Sequence, residues 1–186
     1  MASILLLYRT RTGFTKKYVD WITQEIACRT VPWEQINNVD INSFDIIIYG
    51  AGMHAGRIQG LREFKKMTSG LVGKRIVVFA TGAAPNTEEI VAKLKADNFS
   101  ENELIHIPFF YFQSGMNYEK MSLSGKAIMK VYSKFLELKN NKSDIEDGTS
   151  KAILNSYDHS CRAYIKPMVN CLKEFLTKDG GTHIIG

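Results

Sequence analysis

Three threonines and one glycine lie close together near the start of the chain, within residues 10–15. The segment reads Thr10, Arg11, Thr12, Gly13, Phe14 and Thr15. Hydroxyl groups and loop amides can donate several hydrogen bonds to a phosphate group, and a glycine lets the backbone approach it closely. An apolar run precedes the segment, and apolar residues at helical spacing follow it. The pattern predicts a phosphate site between a strand and a helix N-terminus; a plain turn capped by threonine is the alternative.

Two lysines, Lys16 and Lys17, follow the segment and would lie in the first turn of the helix. Positive charge at a helix N-terminus opposes the helix macrodipole unless an anion lies nearby. A bound phosphate would offset that cost, so the lysines agree with a phosphate site.

Apolar runs and helical patterns indicate the elements that surround this loop. Five runs predict strands at residues 4–8, 30–33, 45–49, 75–80 and 104–112. Helical spacing predicts helices at residues 15–28, 59–69, 88–97 and 158–178. Pro108 favours a bulge or an edge position for the last strand. Strands that alternate with helices predict a parallel α/β sheet.

Residues 113–157 form a connection that is too long for an ordinary loop in a compact α/β domain. Apolar positions predict a helix in its middle, at Leu123, Ala127, Met129, Val131, Phe135 and Leu138. The polar tract 139–143 would end this helix. We therefore expect one domain over residues 1–186, with an insertion at about residues 113–157 before the last helix. Pro167 marks either a kink or the true start of that last helix.

Composition narrows the function classes. The chain has 186 residues, 45% of them hydrophobic and 23% charged, with a net charge of +5 and three cysteines that form no CxxC pair. These values indicate a globular cytoplasmic protein with reduced thiols. No basic run alternates with aromatic residues, so nucleic acid is not an expected partner. Four scattered histidines do not make a metal site.

The spacing Thr10-x-Thr12-Gly13-x-Thr15 resembles the phosphate-binding motif of flavodoxins, and it follows the N-terminal strand as in that family. The similarity extends over essentially the whole chain, including residues 45–50 and 75–82. It implies a flavodoxin-like three-layer α/β sandwich, with a five-stranded parallel sheet in the order 2-1-3-4-5 and helices on both faces. It also implies FMN as the cofactor. Residues 108–118 resemble, more loosely, the branch that includes menaquinone-dependent protoporphyrinogen dehydrogenase.

The resemblance also implies which loops flank the flavin ring. The loop after the third strand contains Ala51, Gly52, Met53, His54, Ala55, Gly56 and Arg57. The loop after the fourth strand contains Thr81, Gly82, Ala83, Ala84, Pro85 and Asn86. Flavodoxins commonly cover the ring with aromatic side chains, and neither loop has one.

Several residues in or near these loops could either contact the flavin or have a purely structural role. Tyr111, Phe112 or Tyr118 could reach the ring, or they could belong to the core. His54 and Arg57 could stabilise negative charge at the pyrimidine end of the flavin, or they could simply be solvated. The sequence identifies no acid or base residues, so we assign no catalytic residue.

Two classes of redox function follow from the resemblance: an electron carrier that serves a partner protein, and an FMN-dependent oxidoreductase that uses a quinone. Lysines recur along the insertion, at Lys120, Lys126, Lys130, Lys134, Lys139 and Lys142. With the apolar positions they suggest peripheral contact with a membrane or partner, the alternative being a packed helix with a solvated lysine face.

A different class is suggested by the segment Gly50-Ala51-Gly52-Met53-His54-Ala55, which fits the dinucleotide fingerprint GxGxxG/A. The following strand ends without the acidic residue that would hold the ribose. A Rossmann-type protein is therefore the weaker alternative.

Overall fold

The computed structural model describes residues 2–121, 123–138 and 155–180. Its strands are β1 (Ile4–Arg9), β2 (Arg29–Pro32), β3 (Ile46–His54), β4 (Arg57–Ile58), β5 (Arg75–Gly82), β6 (Phe109–Gln113), β7 (Gly115–Met116) and β8 (Tyr157–Asp158). Its α-helices are α1 (Phe14–Glu25), α2 (Leu61–Thr68), α3 (Glu88–Asn98), α4 (Glu101–His106), α5 (Leu123–Leu138) and α6 (Lys166–Gly180). Short 3-10 helices cover Trp33–Asn38, Ile41–Ser43 and Arg162–Ile165.

Five parallel strands form the central sheet in the order β2-β1-β3-β5-β6. Counted along the chain, this is the predicted order 2-1-3-4-5, so the flavodoxin-like prediction is confirmed. The strand that follows Pro108 stands at the edge of the sheet, where the missing amide of proline costs no ladder hydrogen bond.

The sheet is covered on both faces because successive side chains of a strand point to opposite sides. Leu6 and Ile48 belong to the core that contains α1 and α6. Leu5 and Ile47 belong to the core that contains α2 and α3. All four side chains are fully buried, which explains why these strands are continuous apolar runs rather than alternating ones.

The predicted strand at residues 104–112 is wrong in its first half. Residues 101–106 are helical, and the strand begins only at Phe109. Ser100 caps α4, and the Ser100 amide in turn donates to Glu103 Oε2 at 2.7 Å, which completes a capping box. Ile105 is 74% exposed, so the apolar residues of this stretch do not mark a buried strand.

The predicted loop at residues 51–57 is a β-hairpin rather than an irregular loop. β3 continues through His54, and β4 pairs with it in antiparallel fashion. Gly50 and Gly52 therefore lie inside a strand that pairs with β1 and β5. A dinucleotide fingerprint requires a turn into a helix at this point, so the Rossmann-type alternative is wrong.

The insertion contains the predicted helix, α5, and its two ends form a small ladder. β7 and β8 pair in antiparallel fashion, with Gly115 opposite Asp158 and Met116 opposite Tyr157. A Cβ atom on Gly115 would lie 1.9 Å from the carbonyl oxygen of Tyr157, so this close pairing requires glycine. Lys139, Lys142 and the tract 139–143 lie outside the described residues.

The last helix begins later than the predicted residue 158. A 3-10 helix covers Arg162–Ile165, and α6 starts at Lys166. Pro167 is in the first turn of α6, where its missing amide leaves no helical hydrogen bond unmade. In the part of the chain that the structure describes, no helix is long and apolar enough to cross a membrane.

Candidate functional site

The loop at residues 10–15 connects β1 to α1 at the carboxyl edge of the sheet. Gly13 is the N-cap of α1 and adopts a left-handed conformation, with φ 96°. Its amide donates to Thr10 Oγ1 at 3.2 Å. A Cβ atom on Gly13 would meet nothing within 4 Å, so backbone conformation rather than lack of space favours glycine here. The loop therefore has the left-handed cap that turns the chain into α1.

The N-terminus of α1 is suited to an anion. No side chain caps this helix, and its first turn contains no acidic residue. The first amides of a helix have no intrahelical acceptor, and they carry the positive end of the macrodipole. The two lysines of the first turn are paired instead with carboxylates, Lys16 with Asp20 and Lys17 with Asp158. These acids supply the negative charge that the sequence assigns to a ligand.

Thr15 joins the loop to the end of β5. Its side chain is buried, and Thr15 Oγ1 lies 2.9 Å from Thr81 Oγ1 in a buried hydrogen bond. Gly52 of β3 lies beside this hydrogen bond, since a Cβ atom there would be 3.8 Å from Thr15 Oγ1 and 4.0 Å from Thr81 Oγ1. The structure thus brings together three segments that the sequence places at the site.

The hairpin of β3 and β4 turns through two residues with positive φ, Ala55 at 47° and Gly56 at 76°. Such φ values are typical of the type I′ turns that match strand twist, but the left-handed region is unfavourable for alanine. Asn98 of α3 supports the turn, since its Nδ2 donates to the Gly56 carbonyl at 2.9 Å. His54 and Arg57 form the pair that flanks the turn, and both side chains are exposed.

β6 holds the loop that follows β5. Tyr111 is buried, and its hydroxyl donates to the Ala84 carbonyl at 2.8 Å. The Asn86 amide donates to Gln113 Oε1 at 3.1 Å. Burial raises the pKa of Tyr111 above its ordinary value, so the hydroxyl remains a donor. Ala83 and Pro85 complete this loop, and Pro85 is exposed.

The aromatic residues named as candidates for the flavin ring belong mostly to the core. Phe112 is fully buried, with its ring centre 5.0 Å from that of Tyr18 and 5.1 Å from that of Phe79. Tyr111 is buried beneath the loop it holds. Tyr118 is half-buried, with Lys126 Nζ 5.5 Å from its ring centre.

Tyr18 connects α1 to both ends of the insertion. Its hydroxyl donates to the Gln113 carbonyl and accepts a hydrogen bond from the Cys161 amide at 3.2 Å. Burial raises the pKa of Tyr18 to about 12, so the phenol stays protonated at physiological pH. This contact fixes α1 against the segment before α6.

A cleft of about 460 Å³ opens beside the loop at residues 10–15. It is lined by the loop and by the two ends of the insertion, namely Thr12, Gly13, Phe14, Lys17, Met116, Asn117, Ser156, Tyr157 and Asp158. Its described lining includes no residue of the hairpin or of the loop after β5. Four lining residues from the insertion, and Asp158 just after it, are not predicted by the sequence, because ladder pairing across some forty residues leaves no local pattern.

The ion pair between Lys17 and Asp158 closes one side of the cleft, with Lys17 Nζ 2.6 Å from Asp158 Oδ2. Burial alone would raise the pKa of Asp158, but hydrogen bonds from Lys17 and Ser160 hold it below its ordinary value. Asp158 is therefore ionised at neutral pH and faces the helix N-terminus that would attract an anion.

The site combines an uncapped helix N-terminus, a glycine turn and a cleft, which suits a phosphate-bearing ligand. Among residues 2–121, 123–138 and 155–180, no group of three His, Cys, Asp or Glu side chains could hold a metal ion.

Among solved structures, this chain is similar to flavoproteins and flavodoxins. The flavoprotein in complex with FMN from Lactobacillus acidophilus is 16% identical, covers 61% of this chain and 93% of its own, and has a TM-score of 0.43. The flavodoxin, WrbA-like protein from Agrobacterium tumefaciens is 13% identical over 94% of this chain and 99% of its own, also with a TM-score of 0.43. Oxidised Flavodoxin 2 from Bacillus cereus is 17% identical over 59% of this chain and 84% of its own, with a TM-score of 0.40. Likenesses this weak do not bear on what this chain binds.

Comparison with curated protein sequences gives no match. The sequence model of the flavodoxin domain matches residues 5–143. That range contains the loop at residues 10–15, the five parallel strands apart from Ile4 of β1, and α5. Because the match covers well over half of the chain, the chain belongs to the flavodoxin-domain family.

Proposed function

We propose that the chain binds FMN, with the phosphate on the loop at residues 10–15, and transfers electrons through the bound flavin. The observation that carries the proposal is the N-terminus of α1, which has a left-handed glycine cap and no capping side chain. Membership of the flavodoxin-domain family favours FMN over other phosphate-bearing ligands. When bound, FMN supplies reversible one-electron or two-electron chemistry.

The residues of the loop fit a phosphate group. The amides at the start of α1 supply donors, and the hydroxyls of Thr10 and Thr12 lie in the same loop. Lys17 supplies positive charge at the edge of the cleft. Thr15 has a different role, because its hydroxyl is hydrogen-bonded to the hydroxyl of Thr81. We assign Thr15 to positioning the loop rather than to direct phosphate contact.

We assign the surroundings of the flavin ring to the hairpin turn and to the loop at residues 81–86. The contact between Thr15 and Thr81 supports this assignment, since the end of β5 lies against the loop at residues 10–15, and Gly52 of β3 lies next to the same contact. His54 and Arg57 are exposed on the hairpin, where positive charge would stabilise negative charge on a reduced ligand.

A titration with FMN and with riboflavin, followed by flavin fluorescence, tests the phosphate assignment. We expect FMN to bind much more tightly than riboflavin, which lacks the phosphate. Gly13→Ala should weaken FMN binding by about tenfold, because alanine disfavours the left-handed cap. Gly73→Ala is the matched control, since Gly73 also has positive φ and open space around it. Equal affinities for FMN and riboflavin would refute the proposal.

A second candidate function is that of an FMN-dependent oxidoreductase that uses a quinone, of the protoporphyrinogen dehydrogenase type. The cleft favours it, because Phe14, Met116 and Tyr157 give it an apolar and aromatic lining beside the phosphate loop. Such a lining suits a small apolar molecule.

Assays of the reduced holoprotein separate the two functions. Rapid oxidation by menadione, with slow oxidation by ferric cytochrome c, would support the quinone-linked enzyme. The reverse order would support a carrier that serves a redox partner protein. Narrowing the cleft with Met116→Trp should slow the quinone reaction alone if the quinone enters there.

A further inference from the structure

Helix α5 presents an apolar stripe to solvent. Ile128, Val131 and Leu138 are 55%, 69% and 80% exposed, and Leu123 at the start of the helix is 87% exposed. At 100° per residue, the four positions fall within about 140° of the helix circumference. Ser133, which is buried, lies on the opposite side. The stripe therefore faces away from the domain.

Two lysines, Lys130 and Lys134, follow one edge of this stripe, whereas Lys126 is half-buried over the Tyr118 ring and lies next to the side of the helix that carries Ser133. The side chains of Lys130 and Lys134 are exposed. The sequence of α5 contains these three lysines and a single glutamate. Long basic side chains beside an apolar stripe can extend their charge to the level of lipid phosphates while their methylene groups remain in contact with apolar surface.

Neither apolar core includes a residue of α5 among those the structure describes. Exposed aliphatic side chains along one side of a helix are typical of a surface that a partner or a membrane covers. The lysines identify the chemistry of that partner or membrane as anionic, and the chain as a whole has a net charge of +5.

We propose that α5 docks in the plane of an anionic lipid surface. The aliphatic stripe would enter the boundary between headgroups and acyl chains, and the lysines would contact the phosphates. An extended stripe along sixteen residues of helix matches a flat surface better than it matches a pocket. The proposal does not rest on flavin binding, because the stripe contains no residue of the phosphate loop or of the cleft.

Co-sedimentation of the full-length chain with lipid vesicles tests this proposal. We expect binding to vesicles of phosphatidylcholine mixed with phosphatidylglycerol, weak binding to pure phosphatidylcholine, and loss of binding at high salt. The double variant Ile128→Gln/Val131→Gln should lower the partition coefficient by at least about tenfold. The double variant Lys130→Gln/Lys134→Gln should lower it by roughly thirtyfold, since each lysine near an anionic lipid surface contributes a factor of about five.

The matched control is Val72→Gln/Ile105→Gln, which removes two aliphatic side chains that are 90% and 74% exposed outside α5. This variant should bind vesicles like the unchanged protein, and circular dichroism should show that all variants are folded. Equal loss of binding in the control would overturn the proposal, as would a failure to prefer anionic vesicles. The proposal would also be overturned if the unchanged protein does not bind vesicles and is a dimer that Ile128→Gln/Val131→Gln converts to a monomer. That result would assign the stripe to a second copy of the chain.

Discussion

Lys17 Nζ and Asp158 Oδ2 are 2.6 Å apart, so the first turn of α1 is joined to the strand that ends the insertion. The same lysine lies at the edge of the cleft beside the phosphate loop. A phosphate on this loop and the carboxylate of Asp158 would therefore compete for one ammonium group.

Asp158→Asn tests this competition. The variant removes a negative charge from the cleft and releases Lys17, while the amide oxygen can still accept the hydrogen bond that Ser160 donates to Asp158 Oδ1 at 2.8 Å. We expect FMN to bind severalfold more tightly, by roughly 1 kcal/mol for a half-exposed pair. Isothermal titration with FMN measures the change. Asp20→Asn, which removes the partner of Lys16, is the control, and weaker binding by Asp158→Asn would contradict the prediction.

Tyr111→Phe removes the hydroxyl that donates to the Ala84 carbonyl. The loop at residues 81–86 would lose one of its attachments to β6, and FMN affinity should fall about twofold to fivefold. Stability should fall by about 1 kcal/mol, because a partly buried carbonyl loses its donor. Thr68→Val is a control for hydroxyl loss, since Thr68 Oγ1 donates to the Phe64 carbonyl within α2. An unchanged FMN affinity for Tyr111→Phe would show that this attachment does not shape the site.

Gly115→Ala should disrupt the ladder of β7 and β8. The new methyl group would lie 1.9 Å from the Tyr157 carbonyl oxygen, whereas Gly70→Ala meets nothing within 4 Å. We expect faster hydrogen exchange at the amides of the ladder in Gly115→Ala, and a lower melting temperature than in Gly70→Ala. If exchange in the ladder is the same in both variants, the pairing of β7 with β8 is not present in solution.

Protonation of the Glu103 carboxylate should make the free energy of unfolding depend on pH. Burial alone would raise its pKa, but hydrogen bonds from Lys65 and Ser100 hold the pKa below its ordinary value. Since the folded state has the lower pKa, the stabilisation is present above the unfolded pKa of about 4.3 and is lost as pH falls through the folded value.

Urea unfolding of the unchanged protein and of Glu103→Gln measures this contribution. The unchanged protein should be more stable at pH 7 by roughly 1 kcal/mol, since Lys65 and Glu103 are partly shielded at 23% and 33% exposure. The difference should shrink as the pH falls below about 4. A difference that stays constant from neutral to acid pH would rule out the charged capping box.

The first strand and the glycine turn at residues 10–15 could be predicted from the sequence because short-range signals mark each of them, whereas the strand order was predicted from the resemblance to flavodoxins. Residues 4–8 are apolar without interruption, and Gly13 supplies the turn at the head of α1. The loop at residues 10–15 lies at the carboxyl edge of a parallel sheet, as its place after the first strand predicts.

Other parts of the site depend on contacts between residues that are far apart in the sequence. The hairpin turn uses Ala55 in a left-handed conformation, and Asn98, distant in sequence, holds it. The capping box of Ser100 and Glu103 is visible in the sequence, but the apolar residues after it favoured a strand. Tyr157 and Asp158 reach the cleft only because β8 pairs with β7 across the insertion.

The ladder of β7 and β8 brings both ends of the segment that contains α5 to the cleft. Under the two proposals above, lipid docking and cofactor binding therefore act on one segment, and docking of α5 that shifts either end would change the affinity for FMN. Thermodynamic linkage makes such an effect reciprocal: whatever factor lipid adsorption applies to cofactor affinity, the cofactor must apply to adsorption. A change in cofactor occupancy would then change the affinity of α5 for a lipid surface.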